Sequence, residues 1–131
     1  TPADADRFIT ACIQNEAAKQ FSRAILVDNE AVGSIGVFFK TDIYRKSADI
    51  AYWLAEPYWG KGIVTEAIRQ MCDYTFNNSE IVRISAEPFL INRGSCKALE
   101  KAGFQLEGIK KKSVFKNGEL IDSAMYAKLK V

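Results

Sequence analysis

Ala51-Tyr52-Trp53-Leu54-Ala55-Glu56-Pro57-Tyr58-Trp59-Gly60-Lys61-Gly62-Ile63-Val64-Thr65-Glu66-Ala67 joins two different hydrophobic repeats through a pair of glycines. Upstream, Ile50, Tyr52 and Leu54 alternate with Ala51, Trp53 and Ala55, which predicts a strand over about residues 48–55. Downstream, Val64, Ile68, Met71, Cys72 and Thr75 recur at helical spacing, with Glu66, Arg69, Gln70 and Asp73 turned elsewhere. Glycines before a helix let consecutive backbone N–H groups converge at the positive end of the helix dipole, an arrangement that holds phosphate without any particular side chain. The same loop also reads as a plain strand-to-helix turn. It is not a Walker loop, because Lys61 lies between the glycines, and the third glycine of a dinucleotide fingerprint is missing.

Working outward toward the N-terminus, two β-rich runs at about 21–28 and 31–40 are split by Asp28-Asn29-Glu30, a hairpin-like break. Before them, Thr1-Pro2-Ala3-Asp4 has the signature of a helix start, and Phe8, Ile9, Cys12 and Ile13 recur at helical spacing. A helix over about 2–16 is therefore expected. Toward the C-terminus, Ile81-Val82-Arg83-Ile84 reads as a strand. Asn92 caps a further helix whose Ser95, Ala98, Leu99 and Ala102 share a face, and Gly103-Phe104 closes it. Residues 104–130 alternate as two antiparallel strands joined at Asn117-Gly118, a strong short hairpin signal. Helix, three strands, helix, strand, helix and two strands make one α+β domain over residues 1–131.

Composition narrows the chemistry. The 131 residues suffice for one core, and 48% apolar with 26% charged residues is the balance of an ordinary globular domain. The chain has no histidine, so Ser-His-Asp and Cys-His nucleophile chemistry and every His-ligated metal site are excluded. Acid–base work falls to carboxylates, Tyr, Lys, Cys, hydroxyls or bound water. The formal net charge of +2 argues for neither nucleic acid nor an acidic membrane surface. Lys110-Lys111-Lys112, the only basic run, reads as a solvated strand edge. No apolar run approaches the roughly 20 residues of a membrane span, and no signal-peptide pattern opens the chain. Cys12, Cys72 and Cys96 have no paired spacing and fit reduced thiols in a cytoplasm.

Trp59-Gly60-Lys61-Gly62-Ile63-Val64 resembles the pyrophosphate loop of GNAT acetyltransferases, and with Thr65-Glu66-Ala67 it is similar to the RimJ/RimL branch, which acetylates ribosomal-protein N-termini. Asn92-Arg93-Gly94-Ser95, Leu99-Glu100-Lys101-Ala102-Gly103-Phe104 and the closing run through Glu107-Gly108, Asn117-Gly118, Asp122 and Tyr126 resemble the same branch, in family order over about 20–130. The resemblance implies a mixed, mostly antiparallel central sheet with helices on both faces, lacking the family's usual first strand and helix. It implies acetyl-CoA as co-substrate without a metal, and direct attack by a primary amine in a ternary complex. The implied acceptor is a protein N-terminal amine, with a polyamine or aminoglycoside amine as the alternative, or CoA binding without catalysis. An exposed sheet edge would favour pairing of two copies.

By the same resemblance, Trp53, Leu54 and Ala55 offer main-chain groups to the pantetheine arm, and N–H groups from Trp59 through Gly60, Lys61, Gly62, Ile63, Val64 and Thr65 cradle the pyrophosphate. Val64 stands where the family usually has Gly or Ala. Asn92 bonds the pantetheine arm, caps its helix, or does both. Ser95 is the hydroxyl near the thioester sulfur. Asp49, Glu66 and Glu87 flank the implied cleft and are the candidates for taking the amine's proton, with none singled out. Tyr52 could assist that proton transfer, but its alternation fits core packing better, and Cys96, with no histidine to activate it, reads as helix packing.

Overall fold

The computed structural model describes residues 9–15 and 20–131, with side chains from Gln20 onward. Seven strands form one sheet in the order β1-β2-β3-β4-β5-β7-β6. They are β1 (Ile9–Asn15), β2 (Gln20–Val27), β3 (Glu30–Phe39), β4 (Ser47–Leu54), β5 (Arg83–Ala86), β6 (Gln105–Lys116) and β7 (Glu119–Leu129). Among the described residues the α-helices are α1 (Ile63–Asn78) and α2 (Arg93–Lys101). Only β4 and β5 run parallel; every other neighbouring pair is antiparallel. The mixed, mostly antiparallel sheet expected from the motifs is the one observed.

The expected first helix is corrected in part. Residues 2–8 and Glu16 lie outside the described residues, but Ile9–Asn15 is a strand paired with β2, from Ile9 opposite Ile25 to Asn15 opposite Gln20. Cys12 therefore belongs to a strand rather than a helix face. Helical spacing over so short a run also suits an extended segment, and β-branched Ile9, Thr10 and Ile13 favour a ladder where a strand edge is available.

The alternation expected for β4 is borne out: Ala48, Ile50 and Leu54 are buried, while Asp49, Ala51 and Trp53 face out. Both α1 and α2 contribute to the buried core, and Arg69 Nη2 of α1 donates to Lys101 O of α2 at 2.7 Å. Ile68, Met71 and Cys72 of α1, Leu99 of α2, and Ile25, Ile35, Val37 and Ile84 of the sheet are the centre of one buried cluster. The Phe104 N–H donates to Leu99 O at 3.0 Å, closing α2 as the Gly103-Phe104 pair predicts. Asn117 and Gly118 both have positive φ, 52° and 77°, the two-residue turn that matches strand twist between β6 and β7. The lysine run lies on β6, an outer strand, where Lys110 pairs with Glu87 at 2.9 Å and Lys111 with Asp122 at 3.7 Å.

Cys72 shows how tightly α1 is seated. Burial pushes its thiol up from 9.0 to about 12. The folded thiol keeps its proton where an unfolded one releases it, so this contribution to stability is complete below about 9 and declines as pH rises toward about 12. Urea midpoints measured across that range should fall more steeply for the parent than for Cys72→Ala. Parallel slopes would remove Cys72 from the alkaline transition.

The feature that positions the site is a short parallel ladder. β4 and β5 pair only at Ser47–Arg83, Ala48–Ile84 and Asp49–Ser85. Beyond Asp49, β4 continues to Leu54 beside β3, while β5 ends at Ala86. The sheet opens there, and the β4 backbone groups that point away from β3 have no strand opposite them.

Candidate active site

At the end of β4, Glu56–Tyr58 makes one 3-10 turn and Gly60 and Gly62 turn the chain into α1. Gly60 has φ 75° and Gly62 φ 79°, and a Cβ on either would meet nothing within 4 Å. Backbone conformation, not space, is what calls for glycine here. Gly62 is the N-cap residue of α1, and no side chain caps that end. The first N–H groups of any α-helix lack intrahelical partners, so those of α1 are left to whatever enters beside them. By contrast, α2 is capped: Asn92 Oδ1 accepts from the Ser95 N–H at 3.1 Å. The Trp59 indole N–H donates to Leu54 O at 2.6 Å, pinning the loop to the end of β4.

These elements enclose a cavity of about 540 Å³ between the end of β4, the loop, the start of α1 and one face of α2. Trp53, Leu54, Trp59, Gly60 and Gly62 line it. So do Ile63, Val64 and Thr65 from α1, and Asn92 and Ser95 from the start of α2. Val64 has one side on the buried cluster and the other on the cavity. Two residues expected with this set are not part of the lining. The Ala55 N–H is tied back to Val32 O at 2.8 Å, and Lys61 Nζ sits 5.8 Å above the Tyr58 ring.

The three carboxylates are separated. Asp49 and Glu87 line a second cavity of about 370 Å³ beside the last β4–β5 rung, with Lys40, Arg83, Glu107 and Lys110. Its charges are paired: Lys40 with Asp49 at 3.6 Å, Lys110 with Glu87 at 2.9 Å, and Arg83 with both oxygens of Glu107. The Arg83 guanidinium lowers the Glu107 carboxyl below its ordinary value. Ser123 Oγ also donates to Glu87 at 3.1 Å. Glu66 lines neither cavity; from the first turn of α1 its side chain faces Arg69 at 3.2 Å.

One contact was not legible as a site. Tyr52 Oη and Ser95 Oγ are 2.5 Å apart, and both residues line the larger cavity. Burial raises the Tyr52 phenol above its ordinary value, the Ser95 bond opposing that effect. Alternation placed Tyr52 on the inner face of β4, but alternation says nothing about what the inner face meets at its end. Lys97 and Lys101, one helical turn apart on α2, also reach the cavity; their i, i+4 spacing on a helix capped at the cleft was the available signal.

An opened parallel pair, a glycine-turned helix start without a cap and cationic side chains on the facing helix make this an α+β domain shaped for an extended, anion-bearing ligand. The chain belongs to the acetyltransferase (GNAT) domain family, whose sequence model matches residues 1–105. It is 39% identical over 100 residues to the probable N-acetyltransferase YjcK of Bacillus subtilis (strain 168), covering 76% of this chain and 55% of that protein. To the ribosomal-protein-serine acetyltransferase of Escherichia coli (strain K12) it is 30% identical over 116 residues, covering 88% of this chain and 63% of that protein. The ribosomal L7/L12 alpha-N-protein acetyltransferase RimL, solved in complex with coenzyme A, matches at a TM-score of 0.77 and 27% identity over 88% of this chain and 64% of that one. The chain thus spans less than two thirds of the length of these relatives.

Proposed function

We propose that the protein transfers an acetyl group from acetyl-CoA to a primary amine, that of a protein N-terminus, by direct attack while both substrates are bound. The carrying observation is the shared cavity, in which an uncapped helix start and the Ser95 hydroxyl face one space.

The residues present suit the co-substrate. N–H groups from Gly60 through Thr65 receive the pyrophosphate at the positive end of α1, and Lys97 and Lys101 add cationic charge to the same cavity. The side of the β4 main chain that faces away from β3 beyond Asp49 receives the pantetheine arm, as a strand partner would, with Trp53 and Leu54 lining the space it enters. This leaves the thioester near the Ser95 end of the opening.

An ammonium has no lone pair, so the acceptor must lose a proton before attack. Asp49 and Glu87, on the second cavity at the strand opening, are the groups that take it, directly or through water; Glu66 is turned to Arg69 and drops out. The amine nitrogen then bonds to the carbonyl carbon, the C–S bond breaks, sulfur leaves with the bonding pair, and the nitrogen's second proton passes to water. Ser95 Oγ–H donates a hydrogen bond to that sulfur as its charge develops. A free thiol has a pKa of about 8.5, so the thiolate needs stabilising rather than immediate protonation.

Isothermal titration should show micromolar binding of acetyl-CoA, retained by CoA and absent for ATP. A peptide with a free N-terminus should then release CoA thiol, and the same peptide with a blocked N-terminus should not. Failure to bind acetyl-CoA would sink the reading. Turnover with spermidine but not with peptides would move the acceptor to small-molecule amines.

A further inference from the structure

We infer that Tyr52 is a positioning residue for this transfer: its phenol donates to Ser95 Oγ and thereby aims the Ser95 proton into the cavity. The inference rests on the acetyl-transfer reading above.

The geometry begins with the 2.5 Å separation of Tyr52 Oη and Ser95 Oγ, in a part-buried setting where either oxygen could be the donor. Among the described residues the structure gives Tyr52 Oη no second hydrogen-bond partner. A phenol drawn out of water seeks an acceptor for its proton, and Ser95 Oγ is the one within reach. A serine hydroxyl has one proton and two lone pairs. Once a lone pair takes the Tyr52 proton, the Ser95 proton is free to point away from Tyr52, toward the space both residues line. The reverse polarity would spend the Ser95 proton on Tyr52 Oη and leave Ser95 none to offer the cavity. A hydroxyl that accepts one bond also donates the next more strongly.

Both ends of the pair are held. Tyr52 lies opposite Ile35 in the β3–β4 ladder, and Ser95 is in the first turn of α2, its N–H fixed by the Asn92 cap. Burial keeps the phenol protonated, so Tyr52 acts as a fixed donor and not as a source of protons. The bond changes of the transfer are unaltered: N–C forms, C–S breaks with the pair going to sulfur, one N–H breaks with its proton going to water, and Tyr52 keeps its proton throughout.

Tyr52→Phe removes the hydroxyl and keeps the ring. It should lower kcat about tenfold, the size of one hydrogen bond to a group near developing charge, with KM for acetyl-CoA and Tm nearly unchanged. In a Ser95→Ala background the same change should cost nothing further, because the group it acts through is gone. An equal loss in both backgrounds, or an unchanged kcat in the single variant, would overturn the inference. 3-Fluorotyrosine placed at position 52 keeps the shape and sharpens the donor. It should hold kcat at or above the parent value; a fall like that of Phe would also overturn the inference, and this test stands even where Tyr52→Phe fails to fold. A parent chain that binds acetyl-CoA but never turns over would instead sink the transfer reading, and the role of Tyr52 with it.

Discussion

Replacing Ser95 with alanine should slow acetyl transfer by roughly 10- to 100-fold, the range expected when a hydrogen bond to a charged group is lost, while acetyl-CoA affinity stays nearly constant. The separation follows from where charge appears. Before attack the thioester sulfur is neutral and a weak acceptor; as the C–S bond breaks it carries the departing pair. A donor that matters only at that stage lowers kcat and leaves ground-state binding alone. The substitution takes away the partner of Tyr52 Oη but leaves the helix start intact. The cap of α2 runs from the Ser95 backbone N–H to Asn92 Oδ1, so it survives the loss of the hydroxyl, and alanine is the better helix former. Titration calorimetry and steady-state kinetics on the same preparation separate the two quantities. A proportional loss of affinity and kcat would mean that Ser95 holds the ligand and does not serve the leaving group. No loss of kcat would remove Ser95 from the chemistry.

The parts of this fold that were legible in the sequence are those where a local rule and the tertiary structure agree. β4 alternates because one face is buried along its whole length, and Asn117-Gly118 makes its turn with backbone angles that few other pairs adopt. The glycine loop was legible for the same reason: two residues with φ near 75–79° before a helical repeat leave little freedom in the reading. Ile9–Asn15 failed that test. Its apolar spacing served helix and strand alike, and the exposed edge of β2 decided the outcome. The early end of the β4–β5 ladder had no sequence signal, because parallel pairing between strands so far apart in the chain is set by what each meets elsewhere. The site divides along the same line. Trp59 to Thr65 are consecutive in the chain and group by their resemblance to one loop; all but Lys61 line the larger cavity. Tyr52 and Ser95 are 43 positions apart, and their contact exists only because α2 is laid across the end of β4. The carboxylates show the converse: Asp49, Glu66 and Glu87 looked equivalent as acidic residues flanking a cleft, yet ion pairing turned Glu66 along its own helix.

Changing Gly60 and Gly62 together to alanine should weaken acetyl-CoA binding about 100-fold, from a left-handed backbone penalty of about 1–2 kcal/mol at each position and the rule that about 1.4 kcal/mol is a factor of ten in affinity. The case rests on what does not clash. A Cβ at either glycine meets no atom within 4 Å, so packing would tolerate both methyl groups, and the core beneath α1 is untouched. What alanine resists is φ near +75°. The loop relieves that strain by rotating its peptide planes, which turns the N–H groups at the start of α1 away from a common point. Gly62→Asn supplies the control. Asparagine visits the left-handed region far more readily than alanine, so it should keep most of the affinity that Gly62→Ala loses, despite its larger side chain. Titration of each variant with acetyl-CoA, alongside thermal unfolding to show that the domain is intact, gives the ranking glycine, asparagine, alanine. If asparagine instead binds worst, side-chain bulk controls the loop and the cradle of backbone N–H groups is not what holds the pyrophosphate.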